Sequence, residues 1–111
     1  HNMATNYKIL GQTGDDAGIL QTLYTVPAAT EAVVSTISIA NVAVTATDFT
    51  IHVVPSGDTA GVRNVLAKEV ALPASDTTTL TLGITLSAGD SIQVKSSAYD
   101  TCFHAFGSEI S

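Results

Sequence analysis

The strongest constraint on the fold is a run of alternating apolar and hydroxyl residues between Glu31 and Pro55. Side chains of a pleated strand switch faces at every residue, so such alternation with many β-branched residues predicts strands. The small-residue segment from Asn41 to Thr47 divides the run into two strands. In the first predicted strand, Val33, Ser35, Ile37 and Ile39 fall on one face. In the second, Phe49, Ile51 and Val53 fall on one face.

Similar short alternating segments follow one another along the rest of the chain, separated by turn-forming residues. Gly11 to Gly18 is predicted to be a polar loop, and Gly83 a β-bulge or a point of close packing. Proline and aspartate clusters at Pro55–Gly61 and Pro73–Asp76 are predicted turns. The remaining predicted strands are 6–10, 19–26, 63–72, 77–86, 91–95 and 102–106.

A helix is the alternative for the segment from Val62 to Leu72, because Val62, Leu66 and Val70 lie four residues apart. No good N-cap residue precedes this segment, however, and Pro73 closes it. We therefore favour a strand here as well.

About eight short strands with turns between them predict an all-β fold, namely an antiparallel two-sheet β-sandwich of jelly-roll-like type. We expect residues 1–3 to be a tag remnant and the start methionine, and residues 4–111 to be a single domain. Ala32–Val34 and Ile51–Val54 are apolar on both faces. Because a sandwich strand needs only one apolar face, we expect a second subunit to cover the other face.

The charge composition restricts the classes of molecule that the protein can bind. Only 13% of the 111 residues are charged, against roughly 25% in an ordinary soluble domain, and the net charge is −6. Nucleic-acid binding requires clustered cations, whereas the four here are scattered along the sequence, so no direct nucleic-acid partner is expected. The four are Lys8, Arg63, Lys68 and Lys95.

The sequence has no signal peptide and no apolar run long enough for a membrane span, which predicts synthesis in a cytoplasm and no membrane partner. Its single cysteine, Cys102, excludes an internal disulfide framework and is expected to be a buried, inert thiol.

No constellation of residues predicts catalysis, a cofactor or a metal site. His52 and Asp48 lie about 13 Å apart along a strand, too far for a base and its orienting partner. Cys102 and His104 share a strand face, yet zinc would need two further ligands. Gly57–Gly61 lacks the lysine of a phosphate loop. The aspartates are expected to stabilise turns rather than bind calcium: Asp15, Asp16, Asp58, Asp76, Asp90 and Asp100.

Six segments of the chain follow the pattern of a known group of proteins: 7–12, 23–28, 33–37, 73–86, 88–94 and 103–109. They resemble the small all-β virion structural proteins of tailed bacteriophages, including cyanophages. The resemblance extends over nearly the whole chain and rests on patterns typical of a fold, so it assigns no active-site residue.

This resemblance implies a non-enzymatic virion protein made in a host bacterium. Our first hypothesis is a capsid decoration (cement) protein that binds the major capsid protein or other virion proteins as a homo-oligomer, with a trimer favoured. A tail, neck or tail-fibre component is the alternative. A free carbohydrate-binding module is a further one, although only six aromatic residues could stack on sugars: Tyr7, Tyr24, Phe49, Tyr99, Phe103 and Phe106.

Overall fold

A computed structural model describes residues 5–14 and 17–111, which form eight β-strands and one short 3-10 helix, Val62–Asn64. The predicted all-β class and the number of strands are confirmed. Residues 1–4, with the expected tag remnant, lie outside the described residues, as do Asp15 and Asp16. The strands are β1 (Thr5–Gly14), β2 (Gln21–Thr25), β3 (Glu31–Asn41), β4 (Thr47–Val54), β5 (Val65–Leu72), β6 (Thr77–Leu86), β7 (Ser91–Ser96) and β8 (Thr101–Ile110).

The strands form two four-stranded antiparallel sheets, which we call sheet A (order β1-β8-β3-β6) and sheet B (order β2-β7-β4-β5). Strand β1 pairs with β8, β2 with β7, β3 with β6 and β4 with β5. A chain folded back on itself as one long hairpin and then rolled up gives these pairings. This arrangement is the jelly roll, as the sequence predicts.

The hydrophobic core lies between the two sheets. Ile37 and Ile39 of sheet A and Phe49, Ile51 and Ile92 of sheet B are almost completely buried there. Burying one such side chain contributes about 1.5–3 kcal/mol relative to leaving it exposed. The sandwich measures 50 × 26 × 19 Å, so its sheets expose two long outer faces.

Bulges cross sheet A near the middle of its strands. The register shifts at Leu10 in β1, at Ser35 in β3 and across Leu82–Gly83 in β6, which confirms the predicted bulge at Gly83. One extra residue in a strand reverses the facing of every residue beyond it. Val33 therefore lies on the opposite face from Ile37 and Ile39, so the prediction that these residues share a face is wrong.

Two predicted strand ends are also wrong, because β1 and β8 pair with each other beyond the predicted ends of both strands. Gly11–Gly14, predicted to be a loop, continue β1 and pair with residues 102–105. Strand β8 extends beyond Phe106 to Ile110, where it pairs with both β1 and β3.

The helix alternative for residues 62–72 is also wrong, since only Val62–Asn64 form a 3-10 turn before β5. Strand β2 begins at Gln21 rather than Ile19.

The apolar second face of β4 is explained within a single chain. Val53 packs against the core, while Val54 points to the opposite face and is only 2% exposed. Because the chain itself already covers Val54, this residue gives no support to a covering subunit. Val33, on the outer face of sheet A, is half-buried.

Candidate interaction surface

The histidine on sheet B supports a loop. Nδ1 of His52 lies 3.1 Å from the carbonyl oxygen of Gly61 and 2.9 Å from Oδ1 of Asn64. Because both partners are acceptors, Nδ1 carries the proton and donates to them. Asn64 also receives the Gly61 N–H and donates to the carbonyl of Thr59. His52 therefore anchors the loop that connects β4 to β5.

Asp48 has different partners from His52. Its backbone N–H donates to Oγ of Ser97, and its carbonyl oxygen accepts from the Ser97 N–H. The imidazole of His52 contacts Gly61 and Asn64 rather than the Asp48 carboxylate, so the two residues do not form a base with its orienting partner.

Cys102 and His104 share a strand face, as the sequence predicts, and it is the outer face of sheet A. Cys102 is only partly buried there, so the prediction of a buried thiol is wrong. Nδ1 of His104 lies 2.9 Å from Nε2 of Gln12, whose amide can donate to it. The imidazole ring stacks on Phe106 with ring centres 6.2 Å apart. Within residues 5–14 and 17–111, no three His, Cys, Asp or Glu side chains are grouped so that they could hold a metal ion.

The described members of the predicted set, Asp58, Asp76, Asp90 and Asp100, lie in connections between strands, as predicted. One carboxylate oxygen of Asp90 accepts the Ser56 N–H and the other accepts the Ser87 N–H, both at 2.8 Å. Asp76 accepts the Thr77 N–H at 2.9 Å. Asp58 donates its N–H to the carbonyl of Pro55 within the β4–β5 connection. Asp90 thus joins two loops at one end of the sandwich, a contact that spacing alone does not reveal.

Three cations line two adjoining clefts beside sheet B. Lys68 and Lys95 line one cleft of about 280 Å³, together with Glu69 and His52. Arg63 lines an adjoining cleft of about 430 Å³. Lys68 and Lys95, far apart in sequence, thus line the same cleft, because β4 brings β5 and β7 to its two sides.

The outer face of sheet A is different. Strand pairing places one set of side chains of β1, β8, β3 and β6 outward, and we call this surface the uncharged face. Among the described residues, its one charged member is Glu31, at the end of β3. The other members are Thr5, Tyr7, Ile9, Gln12, Gly14, Val33, Thr36, Ser38, Ala40, Thr77, Thr79, Thr81, Thr85, Cys102, His104, Phe106, Ser108 and Ile110.

Apolar side chains are concentrated on one part of the uncharged face. Tyr7 is 69% exposed and Ile9 is 52% exposed, and Ile9 pairs with Phe106 on the neighbouring strand. Centres of protein interfaces are depleted in charge and enriched in aromatic residues. This surface can therefore cover another protein without removing many charges from water.

None of the described residues forms a helix long and apolar enough to span a membrane.

Comparisons with known proteins show a fold but no family. No protein-family model matches the sequence, and no curated protein matches it. Among solved structures, the chain is similar to one in the crystal structure of the T13 viral particle of infectious bursal disease virus, with a TM-score of 0.56 and 11% identity. It is also similar to a chain in the structure of the Gx strain of that virus, with a TM-score of 0.51 and 16% identity.

These alignments cover 98% and 99% of this chain but only 30% and 33% of the viral chains. The chain therefore spans about one third of the length of the proteins that it matches. At such low identity the likeness shows a shared β fold.

Proposed function

We propose that this chain is a non-enzymatic structural protein of a virus particle, and specifically a capsid decoration protein of a tailed bacteriophage. The observation that carries the proposal is the uncharged face, a four-stranded outer surface on which Glu31, at one end, is the one charged residue among those the structure describes. A surface of this kind suits contact with protein rather than with a charged ligand. The fold shared with chains of a viral particle supports the same role.

The two outer faces of the sandwich differ, and this difference favours sheet A for docking. The outer side of sheet B carries Lys68, Glu69 and Lys95 around its cleft. Covering these residues would remove charges from water, which costs free energy unless each finds a partner. We therefore assign the contact with the major capsid protein to the uncharged face, with Tyr7, Ile9 and Phe106 at its apolar part.

The non-enzymatic part of the proposal rests on what the polar residues already do. His52 holds a loop, Asp90 joins two turns, and His104 pairs with Gln12. In each case the side chain that could act as an acid or base has a structural partner. A protein that binds only the assembled shell stabilises it by mass action, so no chemical step is needed for this role.

The test uses particles of the encoding phage that lack this protein. Purified protein is added back, its position is determined by cryo-electron microscopy, and the temperature at which the shell opens is measured. We expect density on the head and a higher opening temperature. Density on the tail or neck would favour the alternative structural role, and absence of binding to any particle would contradict both.

Two matched variants test the face itself. Ile9→Lys places a charge on the uncharged face, whereas Ile19→Lys changes a similarly exposed isoleucine, 58% against 52%, before β2. We expect Ile9→Lys to weaken binding to the particles at least tenfold and Ile19→Lys to leave it unchanged. Equal affinities for the two variants would contradict the assignment of this face. Selective binding in a glycan array would instead support a carbohydrate-binding module.

A further inference from the structure

One edge of the sandwich lacks the usual protection against pairing with another strand. Strand β6, Thr77–Leu86, pairs with β3 on one side and forms the edge of sheet A on the other. Its ten residues include no charged residue and no proline. An exposed edge of this kind presents unpaired backbone donors and acceptors to any neighbouring strand.

The other three edge strands carry features that hinder such pairing. Strand β1 has Lys8 and a bulge at Leu10, and β2 has only five residues. Strand β5 has Lys68, two breaks in register and Glu69 in a left-handed conformation, with φ of 50°. Lysines, bulges and short length are the means by which natural sheets protect their edges.

Strand β6 also has a bulge, but it leaves half of the strand regular. The register with β3 breaks at Leu82–Gly83, whereas Thr77–Thr81 pair without interruption with Ala40–Thr36. This five-residue segment is therefore a straight edge on which a further strand can align.

The core is less well covered at this edge than at the opposite one. At the opposite edge β1 lies tightly against β2, where a Cβ atom on Gly11 would overlap the carbonyl oxygen of Leu23. No comparable approach joins β5 to β6. Leu80, Leu82 and Ile84 of β6 face the core but are only partly buried. A neighbour at this edge would cover them.

We propose that β6 pairs antiparallel with β6 of a second copy of this chain, so that two copies of sheet A form one continuous sheet. A two-fold axis pairs the strand with its own sequence in reverse, so a charged residue near the axis would lie beside the same charge of the second copy and be repelled by it. Strand β6 has no such charge, and it brings threonine next to threonine, a favourable cross-strand pair. A partner strand of different sequence could pair with β6 even if β6 carried a charge, so the absence of charge favours a second copy of this chain. The inference does not depend on a role in a virus particle.

The test is the mass of the purified chain in solution, measured by light scattering over a range of concentrations. We expect twice the 11.4 kDa of one chain at high concentration. Thr79→Lys combined with Thr81→Lys places two lysines on the exposed side of β6 and should return the chain to the mass of one copy. Thr22→Lys combined with Thr25→Lys makes the same change at exposed positions of edge strand β2 and should leave the dimer intact.

Hydrogen exchange provides a second measurement on the same samples. In the wild-type dimer every amide of Thr77–Thr81 should be protected, whereas in the Thr79→Lys, Thr81→Lys variant the amides that do not face β3 should exchange rapidly. Circular dichroism would show that this variant is folded. A wild-type chain that stays a single copy, a trimer, or a dimer that survives the β6 lysines would each overturn the proposal.

Discussion

The phenol of Tyr24 in sheet B donates a hydrogen bond of 2.6 Å to Oε2 of Glu109 in sheet A. The other carboxylate oxygen of Glu109 lies 2.8 Å from Nζ of Lys8 on β1. Burial, and then Glu109 itself, raise the pKa of Tyr24, so its hydroxyl is protonated at neutral pH and available as a donor. One carboxylate thus links the two sheets at one end of the sandwich.

Removing the Tyr24 hydroxyl should weaken this link. Tyr24 is 7% exposed, and hydrogen bonds to charged groups contribute about 1.5–3 kcal/mol. We expect Tyr24→Phe to lower the free energy of unfolding by about 2 kcal/mol, measured by urea denaturation at neutral pH. Tyr7→Phe is the control, because Tyr7 is exposed and its hydroxyl bonds only weakly to Ser35 at 3.3 Å. Equal losses in the two variants would show that the link contributes nothing.

The same carboxylate should make stability depend on acid. Hydrogen bonds from Lys8, and then from Tyr24, lower the pKa of Glu109 below its usual value of 4.5. Its pKa is therefore lower in the folded than in the unfolded chain. Its contribution is complete above the unfolded value and is lost as the pH falls through the folded one. Unfolding free energies measured from neutral pH down to about pH 2 should show this loss, and Glu109→Gln should reduce it.

Lys8→Met gives a second check on that interpretation, because it removes the first cause of the lowered pKa. The folded pKa of Glu109 then lies closer to its unfolded value, so the acid-dependent loss should be smaller than in the wild-type chain and complete at a higher pH. If the unfolding free energies of Glu109→Gln and Lys8→Met fall with pH as in the wild-type chain, then Glu109 does not control the loss of stability in acid.

Asn41 should be essential for the loop between β3 and β4. It is 1% exposed, and its amide group donates to the carbonyls of Thr45, Leu72 and Pro73 at 2.8, 3.3 and 3.1 Å. Its Oδ1 accepts the Ala43 N–H. Asn41→Ala leaves these groups without a partner and should cost about 2–4 kcal/mol of unfolding free energy.

A charge variant at the same position separates hydrogen bonding from shape. Asn41→Asp keeps the shape but places a carboxylate against three carbonyl oxygens, so it should destabilise the chain more at neutral pH than in acid. Asn6→Ala, at an exposed position of β1, should change the stability by less than about 0.5 kcal/mol. A stable Asn41→Ala variant with wild-type denaturation would contradict the role of this residue.

The alternation of apolar and polar residues was enough to predict the strands, because core-facing side chains occur at every second position of a strand. It could not predict the change of face at Ser35, since that bulge depends on how β8 and β6 align with β3. The extension of β1 through Gly14 has the same origin. Gly11 and Gly14 look like loop residues in sequence, but their pairing with β8 makes them strand.

The uncharged face could be anticipated only in part. The low fraction of charged residues predicts a weakly charged surface somewhere on the molecule. Which face it occupies depends on strand order, because residues of β1, β8, β3 and β6 meet only in the folded sheet. The same order gathers Lys68 and Lys95 on the opposite side of the sandwich, although 26 other residues separate them in sequence.

Charged residues in the core should unfold the domain. Ile37 and Ile51 are both 0% exposed and lie in opposite sheets. An unpaired buried charge costs several kcal/mol, comparable to the whole stability of a domain this size. We expect Ile37→Lys and Ile51→Asp to abolish the cooperative thermal transition in circular dichroism, whereas Val44→Lys, at a residue 90% exposed, should melt like the wild-type chain. Wild-type melting of either core variant would contradict the assigned core.

Two glycines on sheet A should respond in opposite ways to the same substitution. A Cβ atom on Gly107 would overlap the backbone carbonyl oxygen of Val33, so Gly107→Ala must push β3 and β8 apart. A Cβ atom on Gly83 would meet nothing within 4 Å. Gly107→Ala should therefore cost about 2 kcal/mol or more of unfolding free energy, as overpacking does. Gly83→Ala should change it little or raise it by up to about 1 kcal/mol, because alanine restricts the unfolded chain. Urea denaturation of the two variants measures both effects, and a Gly107→Ala variant as stable as Gly83→Ala would contradict the tight approach of β8 to β3.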